Sequence, residues 1–438
     1  MRAKPVQLHG WGRTPVAAAD LYRPERVSEL AAILKAHTPL IARGGGRSYG
    51  DQALNTNGAV VLTTRLNRML GFDETTGVLV AEPGVSFRDV LTVFGPRGWQ
   101  VPVSPGTGYA TLGGALANDV HGKNHDGKGA FGAHVVWFDL LLASGEVRRV
   151  LPGSDLFNAT VGGMGLTGVV VALALTLMRV PSNAVVLREE RVADLDDFLA
   201  KLIQARDASY SVGWIDALAT GATLGRGVIE TAEPAADVLP PARPRTKRIP
   251  VDFPSFALSA PAVRLFNLAY RHRVPAEGRE RLVPVDRFLY PLDAIQDWNR
   301  IYGKRGFHQF QCVVPDVTAG PALRAMLSAI AGAGSASFLA VLKSLGAEGP
   351  GYLSFPSPGF TLALDFPHRA ETPDLLARLE AITIEARGRI YLAKDSLAAP
   401  ASIPRMYPKL DQFRTVLDQV DPHRRFVSDM ARRLELRP

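Results

Sequence analysis

Apolar residues recur along the first 180 positions with two different periods, and this alternation predicts an α+β domain. A period of three to four predicts a helix that ends near His37, with apolar positions at Leu30, Ala31, Ile33 and Leu34. The same period predicts a second helix, which Ser86 and Asp89 begin as a capping box and whose apolar face is Phe87, Val90, Leu91 and Phe94. Short apolar runs at 39–43 and 77–84 predict strands, and the first of these leads into a glycine-rich loop.

Two longer apolar runs follow within this region. The run VVWFDLLLASGEVRRVL (135–151) predicts a hairpin with Ser144 and Gly145 at its turn. The run VVVALALTLM (169–178) predicts a buried strand, because ten residues are too few for a helix that crosses a bilayer.

The second half of the chain carries a strand pattern with a period of two. In GFTLALDFP (359–367), one face holds Phe360, Leu362, Leu364 and Phe366, and the other holds Thr361, Ala363 and Asp365. Thr372 and Pro373 then begin a helix that Gly388 ends. The run RIYLAKDS (389–396) predicts a further strand, which places Lys394 at its end.

Composition excludes several classes of protein. The 438 residues are 47% hydrophobic and 21% charged, as in globular domains, and the single cysteine, Cys312, excludes an intrachain disulfide. The first 15 residues lack the apolar run of a secretory signal, so we expect a cytoplasmic or membrane-peripheral protein. A net charge of +8 suits an anionic partner, but no nucleic-acid-binding signature accompanies it, so nucleic acid is disfavoured as a partner.

One stretch combines proline with basic residues. Residues 234–261 contain seven prolines and the basic cluster Arg243, Arg245, Lys247 and Arg248, which predicts a long irregular excursion. Val251, Phe253 and Phe256 lie close by in sequence. Basic residues beside aromatic ones are typical of contact with an anionic membrane surface, and a solvated loop is the equal alternative.

The loop IARGGGRSYGD (41–51) is the first candidate for ligand binding. Its four glycines permit main-chain N–H groups to approach a ligand closely, and such groups form nests for phosphate. A tight turn explains the same residues equally well. A second glycine run, GMGLTG (163–168), matches a dinucleotide fingerprint, but the β-branched run 169–171 follows where a helix is required. It therefore predicts a turn that enters a strand near a cofactor.

A third glycine-rich segment, SPGTGYATLGGALANDVHGKNH (104–125), contains His121 and His125 four residues apart. Gly122 interrupts any helix between them and no HExxH sequence is present, which disfavours a metal site. A structural role is the ordinary expectation for a single histidine such as His121. Three glycine-rich segments within 130 residues indicate a long ligand that carries a pyrophosphate and a flat ring.

The order of these segments resembles a known family. RGGGRSYGD (43–51), then PGT…GGA…HG, then GGMGLTG (162–168) are similar to the FAD-binding half of the vanillyl-alcohol-oxidase-type flavoproteins. The chain is similar to the polyprenylphosphoryl-ribose 2′-oxidases of that superfamily over nearly its whole length, in the segments GWGRT (10–14), HGKNH (121–125), DWNRIYG (297–303), YLAKDS (391–396) and FVSDMARRLEL (426–436).

This resemblance implies an α+β, two-domain fold of the VAO/PCMH type. An FAD-binding domain would span 1–182, a substrate domain with an antiparallel sheet 183–388, and a C-terminal segment, 389–438, would return to the FAD domain. It also implies non-covalent FAD, because Arg47 stands where many relatives carry the histidine that bonds to the flavin.

The site residues carried over from the resemblance fall into three groups. The catalytic group is Lys394, His121, Lys123 and Tyr391. The FAD-binding group is Ala42, Arg43, Gly44, Gly45, Gly46, Arg47, Ser48, Tyr49, Gly50, Asp51, Gly106, Thr107, Thr111, Leu112, Gly113, Gly114, Asn118, His121, Val169 and Tyr391. The substrate-binding group is Gln309, Gln311, Lys343, Thr361, Ala363 and Tyr290.

Three positions depart from the family pattern. Ala363 stands where relatives have cysteine, Thr361 where they have asparagine, and Leu289 where they have tyrosine, with Tyr290 adjacent as a substitute. The resemblance implies oxidation of the 2′-hydroxyl of a polyprenylphosphoryl ribose, with a keto-reductase partner completing epimerisation to the arabinose donor of cell-wall arabinan. An FAD-dependent alditol or sugar-lactone oxidase, and a non-catalytic flavin- or lipid-binding protein, are the alternatives.

Overall fold

Three sheets organise the part of the chain described by a computed structural model, residues 3–37, 39–240, 246–335 and 338–437. The first sheet has four strands, in the spatial order Lys4–His9, Val16–Tyr22, Ala59–Leu62 and Leu40–Arg43. Its last three strands run parallel. The helix Val27–Ala36 buries Leu30, Ile33 and Leu34 in the core beside this sheet, which confirms the helix and strand predicted there.

The second sheet has five antiparallel strands, in the order Met69–Asp73, Val78–Ala81, Val169–Thr176, Val135–Leu141 and Val147–Val150. The predicted hairpin, buried strand and capping box at Ser86 are all confirmed. Its core includes side chains from the helices Phe87–Phe94, Leu112–Asn118 and Asp155–Thr160. A short helix, His125–Lys128, and a two-residue pairing of Trp99–Gln100 with Met178–Arg179 complete this region.

The third sheet has eight antiparallel strands, in the order Arg279–Pro284, Ala184–Val192, Gly227–Pro234, Tyr210–Ile215, Ala340–Leu345, Gly359–Pro367, Phe307–Val314 and Arg389–Ile390. The face that carries Phe360, Leu362, Leu364 and Phe366 shares a core with the helices Leu195–Gln204, Asp316–Ala333 and Thr372–Glu385. The alternation predicted for Gly359–Pro367 is therefore explained: one face packs in this core, and the other face, with Thr361, Ala363 and Asp365, is available for polar groups.

The remaining elements are short or peripheral. They are the helices Ala260–His272, Val285–Leu289, Ile403–Met406, Leu410–Val420 and Asp429–Arg433, and a parallel pairing of Lys247–Arg248 with Ile295–Gln296. No helix among the described residues has both the length and the apolar character needed to cross a membrane.

Two sequence predictions need correction. The strand predicted for 389–396 is only two residues long, because the N–H groups of Lys394 and Asp395 turn back to the carbonyl of Tyr391. The excursion at 234–261 is irregular only in part: Arg248 pairs with Asp297 at 2.6 Å, and a helix begins at residue 260. Arg243 and Arg245 lie outside the described residues.

The C-terminal segment closes against the first sheet. The N–H of Leu40 donates to the carbonyl of Arg425 at 2.8 Å, and the N–H of Val427 donates to the carbonyl of Leu40 at 3.0 Å. Further along, Arg433 donates two hydrogen bonds to Asp51, each 2.8 Å, and one to Asp395, also 2.8 Å. This arginine joins the glycine loop to the segment after residue 390. The domain boundaries proposed from sequence stay a prediction.

Replacing Arg433 by methionine is expected to destabilise the fold by about 3–5 kcal/mol, because two carboxylates would stay buried without a counter-ion. Their side chains are only 5% and 6% exposed. The matched control is Arg148→Gln, which removes an exposed ion pair with Glu146 and should cost at most about 1 kcal/mol. Urea unfolding of both variants checks this, and equal midpoints would contradict a central role for Arg433.

Candidate active site

One large cavity, of about 790 Å³, lies between the glycine-rich segments and the third sheet. Its volume falls within the range of small-molecule and cofactor sites. All three glycine-rich segments reach it, through residues within 42–50, 104–114 and 164–168. The strands Phe307–Val314, Ala340–Leu345 and Gly359–Pro367, together with the turn at 391–394, also contribute to its wall.

The glycines of the first loop are required by close packing as well as by conformation. A side chain at Gly50 would collide with the carbonyl oxygen of Asp395, and one at Gly45 would lie 2.5 Å from the carbonyl oxygen of Tyr109. Gly46 has a φ of +65°, which favours glycine. The loop is therefore held between the second glycine-rich segment and the C-terminal turn, with its main chain facing the cavity.

The same loop offers free donors. In the described part of the chain, the amide groups of Gly44, Gly45, Gly46, Arg47 and Ser48 donate no hydrogen bond to another residue. Asn118 Oδ1, which lies on the same wall, is buried without a partner. The buried oxygen of Asn118 needs a hydrogen-bond donor, whereas the row of free main-chain N–H groups suits a ligand with several anionic oxygens. The FAD pyrophosphate fits that description.

Arg47 is held between two aromatic rings. Its guanidinium carbon lies 4.3 Å from the centre of the Trp11 ring and 5.0 Å from that of Tyr109. Burial lowers its pKa, but an arginine stays charged at any physiological pH. A stacked guanidinium at this position has no nucleophilic nitrogen to offer a flavin.

Lys394 lies beside a buried carboxylate at the centre of the cavity. Its Nζ is 3.8 Å from the centre of the Tyr49 ring. Burial lowers the Lys394 pKa to about 8, and Asp365, whose own pKa burial raises to about 7, opposes that shift. Asp365 is fully buried and accepts hydrogen bonds from Gln309 (2.5 Å) and Tyr302 (2.9 Å). The positive charge of Lys394 therefore depends on the Asp365 carboxylate, which these two hydrogen bonds hold in place.

His121 is at the centre of a second polar group. Its Nδ1 lies 3.2 Å from Lys343 Nζ, and its Nε2 lies 3.0 Å from the side-chain amide of Gln311. Burial, reinforced by the Lys343 charge, holds the His121 pKa well below its usual value, so the imidazole is neutral. Burial also lowers the Lys343 pKa, to about 7, with help from the charges of Lys123 and Lys394. This group can accept or donate a proton near neutral pH.

Lys123 and Tyr391 complete the set predicted to be catalytic. Lys123 Nζ donates to the carbonyl oxygen of Phe288 and lies 4.0 Å from the centre of the Phe288 ring, while burial lowers its pKa to about 8. The Tyr391 hydroxyl donates to the carbonyl of Asn118 at 2.9 Å, and its ring stacks on Phe355. Tyr391 thus orients the wall on which Asn118 lies.

The cavity becomes apolar toward one end. Trp214, Tyr270, Phe266 and Phe338 line it there, with neighbouring ring centres 4.6 to 5.6 Å apart. Phe266 is 38% exposed to solvent, and Arg248, which also lines the cavity, has a largely exposed side chain. The aromatic end therefore reaches the protein surface, and we call it the mouth of the cavity.

Most of the residues predicted for the site line this cavity, and four do not. Asp51 gives both carboxylate oxygens to Arg433, and Leu112 is fully buried in the core of the second sheet. Thr361 lies behind Gln311, from which it accepts a hydrogen bond of 3.1 Å. Tyr290 turns its hydroxyl to Ser104 at 2.6 Å, so Leu289 rather than Tyr290 reaches the cavity.

Sequence reasoning missed several residues that shape the site. Asp293 accepts hydrogen bonds from Arg88, Thr107 and the N–H of Gly108, and so holds the second glycine-rich segment. Asp365 was visible as a charged residue in an otherwise apolar strand, which is a usable signal. The aromatic mouth had no such signal, because Trp214 and Phe338 come from segments far in sequence from the helix that carries Phe266 and Tyr270.

Comparisons with known proteins agree with this geometry. An FAD-binding-domain family matches residues 18–151, and a D-arabinono-1,4-lactone oxidase family matches residues 362–434. The chain is 36% identical to the decaprenylphosphoryl-β-D-ribose oxidase of Mycolicibacterium smegmatis, over 98% of this chain and 97% of that protein. A putative D-arabinono-1,4-lactone oxidase of Neurospora crassa is 26% identical over 41% of this chain and 33% of its own length.

These matches and the unpaired amides of the glycine loop establish an FAD-dependent oxidoreductase with a VAO/PCMH-type fold. The similarity to the mycobacterial enzyme extends through the FAD-binding region, the eight-stranded sheet and the C-terminal segment. The chain therefore belongs to the decaprenylphosphoryl-β-D-ribose oxidase family of FAD-linked oxidoreductases.

Proposed function

We propose that this protein oxidises the 2′-hydroxyl of a polyprenylphosphoryl-β-D-ribose to the 2-keto sugar. The observation that carries the proposal is the division of one cavity into a polar interior and an apolar mouth. A sugar with several hydroxyls suits the amides and amines of Gln309, Gln311, Lys343 and Lys394, and a prenyl chain suits the aromatic mouth. The decaprenylphosphoryl-β-D-ribose oxidase of Mycolicibacterium smegmatis acts, as its name states, on a substrate of this kind.

Bound FAD supplies a two-electron acceptor for the hydride that leaves the sugar carbon. The protein's own residues hold the sugar hydroxyl and handle its proton. Neutral His121 and the Lys343 amine lie within 3.2 Å of each other and are the groups placed to accept that proton. Lys394, kept positive by Asp365, stabilises the negative charge that develops beside it.

The proposed binding of FAD rests on the three glycine-rich segments and on residues 391–394. Main-chain donors of 44–48 would hold the pyrophosphate, and Tyr391 and His121 would lie against the ring system. The division into an FAD domain (1–182), a substrate domain (183–388) and a returning segment (389–438) is part of this proposal. It places the hydride acceptor on one side of the cavity and the sugar on the other.

The three departures from the family pattern concern the part of the cavity that would hold the sugar. Leu289 brings an apolar side chain where relatives have a phenol, and Ala363 removes bulk from the cavity wall. Thr361 supports Gln311 from behind and does not touch the cavity. These changes alter the volume next to the sugar and leave Lys394, His121 and Lys343 in place.

The keto product would pass to a separate keto-reductase that completes the epimerisation. We also propose peripheral contact with the membrane, since a polyprenyl tail leaves a bilayer only at about 0.8 kcal/mol for each CH₂ group. In the predicted basic cluster, Lys247 is exposed and Arg248 pairs with Asp297.

The match of residues 362–434 to D-arabinono-1,4-lactone oxidases favours one alternative, an oxidase of free alditols or sugar lactones. Anaerobic flavin reduction separates the two functions. A polyprenylphosphoryl ribose should bleach the flavin, and xylitol or D-arabinono-1,4-lactone should not. Bleaching by the free sugars alone would replace the proposal with the alternative, and bleaching by none would indicate a non-catalytic flavin protein.

The flavin is expected to be non-covalent, because Arg47 occupies the position of the linking histidine and is stacked between two rings. Acid precipitation of the purified protein should give a yellow supernatant and a colourless pellet. A pellet that keeps its flavin absorbance would contradict this expectation.

Replacing Lys394 by alanine should preserve FAD binding and lower the rate of flavin reduction by roughly 10²–10³, the usual effect of removing one donor aimed at developing charge. Lys35→Ala, at an exposed lysine of the helix Val27–Ala36, is the matched control and should leave the rate unchanged. A Lys394→Ala enzyme with a near-normal rate would show that this lysine has no part in the chemistry.

The rate of flavin reduction should rise as the Lys343 amine, with a pKa of about 7, loses its proton, and should then fall as pH rises through about 8. The Lys394 pKa is about 8, the protonated form is the one that stabilises negative charge, and that form is complete well below pH 8 and lost above it. Stopped-flow reduction at saturating substrate from pH 6 to 10 measures the profile. A rate that instead rises through pH 8 would assign Lys394 the role of proton acceptor.

A further inference from the structure

The helix Ala260–His272 exposes two leucines to solvent and buries an asparagine beside Val263 on its other side. Its solvent side carries Leu265 and Leu268, which are 69% and 46% exposed. Its buried side carries Asn267, only 2% exposed, whose side-chain amide donates to Asp216 at 2.6 Å. A helix in contact with water alone would place these residues the other way round.

The exposed apolar surface continues beyond the helix. Phe256 is 73% exposed, and Val251 and Phe253 are also exposed on the segment that leads to the helix. We call these residues, with Leu265, Phe266 and Leu268, the apolar patch. Single exposed apolar residues are ordinary, but six within 18 positions mark an interaction surface.

The apolar patch borders the mouth of the cavity. Phe266 belongs to both, since it is part of the exposed surface and also lines the cavity. Its ring is 4.6 Å from that of Phe338 and 5.6 Å from that of Tyr270, and Tyr270 is in turn 4.6 Å from Trp214. A continuous row of aromatic rings thus joins the patch to the cavity.

The charge around the patch is positive. Lys247, Arg248 and Arg264 are exposed there, and Arg248 pairs with Asp297 at 2.6 Å. Arg271 lies on the buried side of the helix, near Asp216, and the acidic residue in 246–272 is Asp252. Asp252 is occupied by Arg13 at 2.6 Å and by Arg300 at 3.2 Å. Apolar side chains surrounded by basic ones are the pattern of a surface that enters the headgroup region of an anionic bilayer.

We propose that the apolar patch docks on an anionic lipid bilayer and that the aromatic row conducts the polyprenyl chain from the bilayer into the cavity. The second part rests on the proposed function, whereas the first stands on the patch alone. A second copy of this chain fits the surface less well. It would bring two basic rims together and would cover the cavity mouth.

Vesicle sedimentation tests the docking surface. The holoenzyme should bind vesicles of phosphatidylcholine and phosphatidylglycerol (3:1), and binding should weaken as salt increases. The double variant Leu265→Glu, Leu268→Glu should lower the partition coefficient about tenfold or more, since two inserted apolar side chains become charged. Val317→Glu changes a 90% exposed valine outside the patch and should bind as wild type does.

A second substitution keeps the test valid if the double variant fails to fold. Phe256→Glu alters the patch on a different element, the short turn before the helix, and should also weaken vesicle binding several-fold. Normal flavin content and an unchanged unfolding midpoint identify folded variants. Failure of wild type to bind the vesicles, or unchanged binding of both patch variants, would overturn the docking proposal. So would a wild-type dimer that the patch substitutions dissociate, since a second copy would then be the occupant.

Flavin reduction separates this inference from the proposed function. With a long-chain polyprenylphosphoryl ribose in the same vesicles, the double variant should reduce its flavin about tenfold more slowly than wild type. With a water-soluble short-chain analogue, the two should be equal. Equal rates with both substrates would overturn the proposed conduction of the polyprenyl chain. Bleaching by neither substrate, with vesicle binding intact, would contradict the proposed function and leave the docking surface in place.

Discussion

The contact between the first glycine loop and the C-terminal turn is the constraint on which the site depends. Gly50 lies against the carbonyl of Asp395, the N–H of Tyr49 donates to the carbonyl of Ala393, and the side-chain amide of Gln52 donates to the carbonyls of Leu392 and Asp395. This contact brings Lys394 over the Tyr49 ring.

Arg433 fixes that contact by joining Asp51 to Asp395. The glycines of the first loop therefore have two functions. They allow the backbone of distant segments to approach, and they leave main-chain donors free for an anionic ligand. A side chain at Gly45 or Gly50 would collide with the neighbouring backbone.

The cavity combines an excess of cationic side chains with few carboxylates. Lys123, Lys343 and Lys394 all reach it, and burial lowers the pKa of each toward neutrality. Asp365 faces this group from the third sheet, and Glu230 lies near Lys123. Such a site favours anionic ligands and holds amines that can change protonation during a reaction. It also explains why His121 stays neutral, since a further charge among the lysines would be costly.

Much of the fold could be predicted from the sequence, because local patterns carry it. The capping box at Ser86, the hairpin at 141–147 and the alternation in Gly359–Pro367 depend on neighbours a few residues away. The strand predicted for 389–396 was wrong beyond residue 390, because the backbone N–H groups of Lys394 and Asp395 bond within a turn rather than to a neighbouring strand. Periodicity alone does not distinguish these two outcomes.

The sequence by itself determined the FAD-binding character, the α+β class and the residue types at the polar wall. The reason is that each glycine loop is a local pattern and that the order of these motifs matches a known family. Only the tertiary structure decided which of these residues reach the cavity. It placed Asp365 beside Lys394, turned Tyr290 toward Ser104, and assembled the mouth from Trp214, Tyr270, Phe266 and Phe338. The physical reason is that burial and pairing depend on contacts between segments tens to hundreds of residues apart, which no local pattern encodes.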